Sequence, residues 1–252
     1  MAISSPVVLG IQCRLSSSRL PCKALLELAG TTVLGMCIER SRTTNYPVFL
    51  LTSDHYEDDI LVESALRYGI DGVIRGSLEN VLSRYIQLAH QCSCDYMLRV
   101  TADNPLTEYS FVDPLIDHLV KYSLPYAWVE PSLCPEGTNI EVFTREALFE
   151  SAFMDTSSDN LEHVTSYLSR LKSDYKCLLE VPSFYNNLDC RDISFTIDTL
   201  PDYVRVAKII ATVENKLGTS WKNPDFVRLC ADFAHSESRL YATGRNHPLP
   251  VD

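Results

Sequence analysis

Through its first 122 residues the chain alternates short apolar runs with longer stretches of helical periodicity. The runs at 7–12, 48–52, 72–74 and 96–100 have strand length. The stretches at 32–42, 57–68, 78–91 and 111–122 read as helices, and in the third Val81, Leu82, Tyr85, Leu88 and Ala89 form a stripe at spacings of three and four. Strand, helix and strand in succession fold as βαβ units, so this half predicts an α/β fold with a mostly parallel sheet.

Beyond residue 122 the pattern changes. Extended pieces at 126–129, 139–143 and 176–181 alternate with helices at 145–153 and 159–171, which predicts a smaller inserted lobe, residues 123–193, with an antiparallel edge over one side of the site. A strand at 194–197 returns to the main body, and a helix over 201–217 opens on Pro201, a favourable first-turn residue. Residues 236–252 read as a tail. With 252 residues and 46% hydrophobic content the chain can bury one full core, so 1–252 reads as a single domain carrying the lobe.

A net charge of −11 argues against a nucleic acid polymer as partner, since such interfaces need extended positive surface. No apolar stretch approaches the roughly 20 residues that span a bilayer. The first residues lack the cationic start and apolar run of a signal peptide, so no membrane association and a cytoplasmic location are expected. Nine cysteines are scattered without paired zinc-ligand spacing and read as free thiols.

Against this acidic background one loop is basic. Immediately after the first strand come Arg14, Arg19 and Lys23 among Ser16, Ser17 and Ser18. Fixed charges, rotatable hydroxyls and backbone N–H groups in so short a span suit the phosphate oxygens of a triphosphate. The ends of strands are where open α/β sheets hold ligands. Two other strand ends carry acids: Asp103, in Arg99-Val-Thr-Ala-Asp-Asn-Pro105, and Asp198, in Phe195-Thr-Ile-Asp198. Should they converge on the basic loop, they form a two-carboxylate site for Mg²⁺, which binds one or two carboxylates together with substrate phosphates. Asp202 instead suits a helix start.

Seven short pieces in order resemble the cytidylyltransferases of the spore coat polysaccharide SpsF type, relatives of the CMP-Kdo and CMP-sialic acid synthetases. They are Gln12-x-Arg14-x-x-Ser-Ser-Arg19-Leu-Pro-x-Lys23, Thr52-Ser-Asp54 with Asp58-Asp59, Arg75-Gly-Ser77 with Val81-Leu-x-Arg84-Tyr85, Arg99-x-Thr101-x-Asp103-Asn-Pro105, Gly137 with Glu141-Val-Phe143, Glu162-His-Val-Thr165, and Thr196-x-Asp198-Thr199. The resemblance implies a Rossmann-like GT-A nucleotidyltransferase sandwich that moves CMP from CTP, with Mg²⁺, to an acidic sugar or similar small acid, and a homodimer joined through the inserted lobe. It assigns the nucleotide to Gln12, Arg14, Ser16, Arg19, Lys23, Thr52, Arg75, Gly76, Ser77, Arg84, Thr101, Ala102 and Asp103, with Arg14, Lys23 and Asp103 catalytic. It assigns Mg²⁺ to Asp103 and Asp198, and the acceptor to Asn104, Glu141, Glu162, His163 and Thr165. A histidine in that motif is suited to binding a carboxylate or taking the acceptor's proton.

Two departures stand out. The family usually carries alanine and glycine where this chain has Cys13 and Cys22. A side chain at the second position resists backbone geometry that glycine permits, so the loop is expected to be tighter or shifted. Cationic neighbours are also expected to make both thiols reactive. Two other functions fit the same features: a GT-A glycosyltransferase, although Asp103-Asn-Pro lacks the second acid of an Asp-x-Asp metal motif, and a non-catalytic nucleotide-binding homologue.

Overall fold

The computed structural model describes residues 6–171, 188, 190 and 192–237. In chain order its regular elements are β1 (Val7–Gln12), the short hairpin β2 (Glu27–Leu28) and β3 (Thr31–Thr32), α1 (Val33–Ser41), β4 (Val48–Ser53), α2 (Asp59–Arg67), β5 (Gly72–Gly76), α3 (Val81–Cys92), β6 (Tyr96–Thr101), α4 (Val112–Tyr122), β7 (Tyr126–Trp128), β8 (Glu141–Thr144), α5 (Arg145–Met154), α6 (Ser158–His163), α7 (Ser166–Arg170), α8 (Leu200–Leu217) and α9 (Phe226–Ser236). Six strands form one sheet in the order β5, β4, β1, β6, β8, β7, in which β8 runs antiparallel to both its neighbours. The antiparallel edge expected of a separate lobe is thus the edge of the main sheet.

Side chains alternate across the strands and fill two cores. Leu9, Ile11, Leu50, Leu98 and Val142 belong to the larger, which takes in α1, α4, α8 and α9. Val8, Phe49, Ile74, Met97 and Phe143 belong to the smaller, with α3 and α5. Tyr85 of α3 packs against β1 at Gly10 and donates its hydroxyl to the Gly10 carbonyl at 3.0 Å. A Cβ at Gly10 would stand 2.8 Å from that ring, so only glycine admits it.

Local chemistry sets the helix ends. The Asn80 side chain accepts from Ser83 N at 2.8 Å, which starts α3 at Val81 instead of residue 78. The Asp202 carboxylate accepts from the Thr199 N–H and hydroxyl at 2.9 and 2.7 Å, which makes Asp202 the third helical residue of a capping box whose N-cap is Thr199 and so a helix-start residue of α8.

Two sequence expectations fail here, and one helix is new. The helix expected over 159–171 breaks into α6 and α7 at Val164, whose φ of 66° and ψ of −49° give a γ-turn closed by Thr165 N to His163 O at 2.6 Å. Residues 194–197 form no strand of the sheet: their ladder is a single bridge between Ser194 and Glu136, because the chain here lies along the loop before β8. Helix α9, not anticipated, buries Phe226, Val227, Cys230, Ala231 and Ala234, a three-and-four spacing visible in the sequence. The strand expected at 176–181 and the tail beyond 237 fall outside the described residues.

Two backbone positions lead to tests. Gly137 has φ of +84°, and a Cβ there would meet Thr196 N and Oγ1 at 2.7 Å. Gly137→Ala adds a left-handed strain to an overpacked backbone contact and is expected to cost about 2 kcal/mol, or roughly 5 °C in Tm by calorimetry. Cys22 takes φ of 58° with its side chain exposed, so the position does demand the geometry that glycine supplies. Cys22→Gly is expected to raise stability by about 1 kcal/mol in denaturant titration; an unchanged midpoint would show that the loop is not strained.

Candidate active site

The chain leaves β1 toward β4 on one side and later returns to place β6 on the other, with Gln12 paired to Thr101. Ligands of open α/β sheets bind at such a reversal of strand order, beyond the carboxyl ends of the strands. The basic loop opens there, folded back on itself by Cys22 N to Leu15 O at 3.2 Å. Its base is pinned by Asp58, a carboxylate only 2% exposed, which accepts from Leu15 N at 2.9 Å, Ser53 N at 3.2 Å and the Thr52 and Ser53 hydroxyls at 3.1 and 2.5 Å. The acidic pair Asp58-Asp59 therefore does different work at each position: Asp58 holds the loop, while Asp59 pairs with Arg75 on the surface.

Asp103 and Asp198 are 95 residues apart in sequence and are joined through the backbone. Ile197 N donates to Asp103 O at 2.9 Å, and the Thr196 hydroxyl donates to Asn104 Oδ1 at 2.9 Å. Glu136 N to Ile193 O and Phe195 N to Glu136 O, at 2.9 and 2.8 Å, lay residues 193–198 beside Gly137. The bareness of Gly137 is what permits this approach.

The basic loop meets both acids. Lys23 Nζ donates to Asp103 Oδ2 at 2.8 Å and to Asp198 Oδ1 at 2.9 Å, while Arg19 Nη2 lies 3.0 Å from Asp198 Oδ2. Burial pushes the Lys23 ammonium down, but the two carboxylates outweigh it and its pKa is raised. The ammonium is thus held charged, with its stability contribution present below the ordinary lysine pKa and lost as pH rises through the raised one. Across the opening, Arg14 Nη2 pairs with Glu162 Oε1 of α6 at 2.7 Å. That pair is well exposed, is worth at most about 1 kcal/mol, and yields readily to a better anion.

These groups surround a cleft of about 480 Å³. Five cationic side chains line it (Arg14, Arg19, Lys23, Arg84 and Arg99) against three carboxylates, Asp103, Glu162 and Asp198. An excess of positive charge survives even when Arg99 is set against Glu141, its partner outside the cleft. In a chain of net charge −11, this is a local anion site. Among the described residues no three potential metal ligands cluster together. Asp103 and Asp198 offer two hard oxygen donors that already share one cation, a set that fits a divalent ion completed by phosphate oxygens and water.

Of the other site residues expected from sequence, Gln12, Thr101, Ala102 and His163 line the cleft. Ser17 and Ser18 line it where Ser16 was expected. Thr52 does not line it, because its side chain is buried against Asp58. Neither do Arg75, Gly76 and Ser77: the Arg75 guanidinium lies along the end of β4, donating to the carbonyls of Ser53 and His55 at 2.9 and 2.8 Å. Arg84 reaches the cleft wall, but its three nitrogens donate to the carbonyls of Leu51, Ser77 and Leu78, and burial lowers its pKa. It braces the 75–78 segment. The Cys13 thiol is buried and pushed up by that burial, contrary to the expected reactivity; Cys22 is exposed.

A second cavity of about 300 Å³ adjoins the first and shares Arg99 and Thr101 with it. Asn104 and Glu141 line this cavity, with Tyr126 and Trp128 stacked at 4.9 Å. Thr165 donates to Glu141 Oε1 at 2.9 Å. The γ-turn at Val164 thereby splits the 162–165 motif, sending Glu162 and His163 to the first cavity and Thr165 to Glu141. Phe143 is core. Arg99 was not among the expected site residues, although its place at the end of β6, four residues before Asp103, was a signal.

A model described as "Cytidylyltransferase" matches residues 8–182. An uncharacterized protein of Methanocaldococcus jannaschii is 32% identical over 77% of this chain and 78% of its own. The spore coat polysaccharide biosynthesis protein SpsF of Bacillus subtilis is 29% identical over 77% and 81%. Among solved structures, a cytidylyltransferase from Leptospira borgpetersenii superposes with a TM-score of 0.80 at 24% identity, over 96% of this chain and 98% of that one. CMP:2-keto-3-deoxy-manno-octonic acid synthetase complexed with CTP superposes at 0.62 and 17% identity, over 82% and 99%. These likenesses fix a Rossmann-like nucleotidyltransferase fold, and the match over most of the sequence establishes that the chain belongs to the cytidylyltransferase family of CTP-dependent nucleotidyltransferases.

Proposed function

We propose that this enzyme transfers CMP from CTP to a hydroxyl oxygen of a small acidic sugar, releasing pyrophosphate, in the synthesis of a surface polysaccharide or glycoconjugate. The observation that carries the reading is the meeting of Lys23 and Arg19 with Asp103 and Asp198 at the reversal of strand order. The relatives named for spore coat polysaccharide synthesis and for activation of a keto-deoxy sugar acid support the acceptor class.

The acceptor oxygen bonds to the α-phosphorus, the bond from that phosphorus to the bridging oxygen breaks, and the electron pair leaves with pyrophosphate. Arg19, Lys23 and the hydroxyls of Ser17 and Ser18 hold the phosphates, and Arg14 joins them on leaving Glu162. Their charges are fixed before reaction, so they stabilise the leaving group without reorganisation. His163 on the cleft wall takes the acceptor's proton. Asp103 and Asp198 would hold Mg²⁺, which would supply positive charge to the phosphate oxygens. No covalent enzyme intermediate is needed.

A pyrophosphate-release assay with ATP, CTP, GTP and UTP, run against a panel of acidic sugars, tests the reading. CTP is expected to be preferred. Asp103→Asn should lower kcat/KM by at least about 100-fold while Tm moves only a few degrees; undiminished turnover in that variant would remove the carboxylate from the chemistry. CTP binding in the wild type without pyrophosphate release from any acceptor would favour a non-catalytic homologue.

A further inference from the structure

Glu141 is surrounded by donors. Its Oε2 accepts from Arg99 Nη1 at 2.5 Å, and its Oε1 accepts from the Tyr126 hydroxyl and from Thr165 Oγ1. A carboxylate so engaged has little capacity left for the hydroxyls of a sugar. What it does instead is orient Arg99. Gly10, Arg99, Glu141 and Trp128 are direct register partners across four adjacent strands, so the ion pair is a cross-strand pair built into the sheet. On the other flank Arg99 Nε donates to Gln12 Oε1 at 3.0 Å. Burial pushes the guanidinium down while Glu141 more than restores it, so its pKa is raised and it stays charged.

Two of the three Arg99 nitrogens are therefore fixed, and Nη2 makes no hydrogen bond among the described residues. The side chain lines both cavities, the cationic nucleotide cleft and the neighbouring space of about 300 Å³. That space is large enough for one sugar. Its lining is chemically unlike the first: apart from the Arg99 and Glu141 pair it carries no charge, and it combines the Tyr126 and Trp128 rings with amides and hydroxyls. Such a surface suits a polyhydroxylated body.

We infer that the second cavity takes the acceptor, that Arg99 Nη2 reads its carboxylate at the junction with the nucleotide cleft, and that Glu141 is a positioning residue for Arg99. The inference rests on the acceptor activation proposed above and makes the acceptor a monosaccharide acid, with the acid group and the reacting hydroxyl toward the nucleotide and the remaining hydroxyls toward Trp128. Neutral sugars are rejected because the fixed guanidinium is left without its partner.

The test uses the full chain with CTP and Mg²⁺, and as acceptors 2-keto-3-deoxy-manno-octonic acid, N-acetylneuraminic acid and their methyl esters. The esters keep the body and remove the anion. Calorimetry gives the Kd of CTP separately from acceptor kinetics. The wild type is expected to prefer at least one acid over its ester by 30-fold or more in kcat/KM. Arg99→Lys, which keeps the charge and loses the fork, should raise the acid's KM at least tenfold with the CTP Kd changed less than threefold. Arg99→Gln should abolish the preference for acid over ester. Glu141→Gln should raise the acid's KM with the CTP Kd unchanged, which a merely structural lesion would not do selectively. If Arg99→Gln does not fold, the Arg99→Lys result and the wild-type ester comparison decide. The inference is overturned by acid and ester of equal efficiency in the wild type, by equal losses of CTP and acid affinity in Arg99→Lys, or by turnover of none of these acids despite CTP binding. Failure to bind CTP would instead defeat the cytidylyl transfer reading, and this inference with it.

Discussion

One ammonium group joins the three sequence segments that make the site. Lys23 Nζ lies within 2.9 Å of a carboxylate oxygen from Asp103 and of another from Asp198. Two carboxylates that close repel each other unless a cation lies between them. In this structure lysine is that cation; in the reaction proposed above, a divalent ion and the nucleotide phosphates would share these charges with it. The residue that keeps the acids together is the one that, under that proposal, would also serve the phosphates.

The rest of the fold makes that meeting possible. The reversal of strand order sets the ends of β1 and β6 side by side, so the basic loop and Asp103 emerge as neighbours. Asp198 arrives from outside the sheet. Its segment is steered by the Glu136 and Ser194 bridge, the hydrogen bond from Ile197 to Asp103, and the capping box in which Asp202 closes on Thr199. A six-stranded sheet with two cores supplies the rigidity on which these loops depend.

Much of this was legible in the residues. Strand and helix periodicity gave the parallel sheet, and the placing of Arg19, Lys23, Asp103 and Asp198 at segment ends pointed to a shared cleft. What stayed hidden were directions that only tertiary contacts decide. Thr52 stands beside the site in sequence but turns inward because Asp58 needs its hydroxyl. Arg75 is drawn to Asp59 and two carbonyls at the surface. Cys13 has cationic neighbours, yet its burial dominates. The break at Val164 carries no helix-breaking residue, since a valine there is held in a strained turn by its full burial and by the anchoring of Thr165 on Glu141.

The central claim is that Lys23, Asp103 and Asp198 share one place, and a double-mutant cycle in stability tests it most directly. Unfolding of the wild type, Lys23→Met, Asp198→Asn and the double variant would be followed in denaturant at neutral pH. With Lys23 present, Asp198→Asn removes an ion pair and is expected to be neutral or destabilising. With Lys23 absent, Asp198 keeps its pair with Arg19 but faces Asp103 without the lysine between them, so the same change should cost less or stabilise, giving a coupling of roughly 1 kcal/mol between the sites. Effects of Asp198→Asn equal in both backgrounds would mean that the lysine and the aspartate do not meet, and the account would fail.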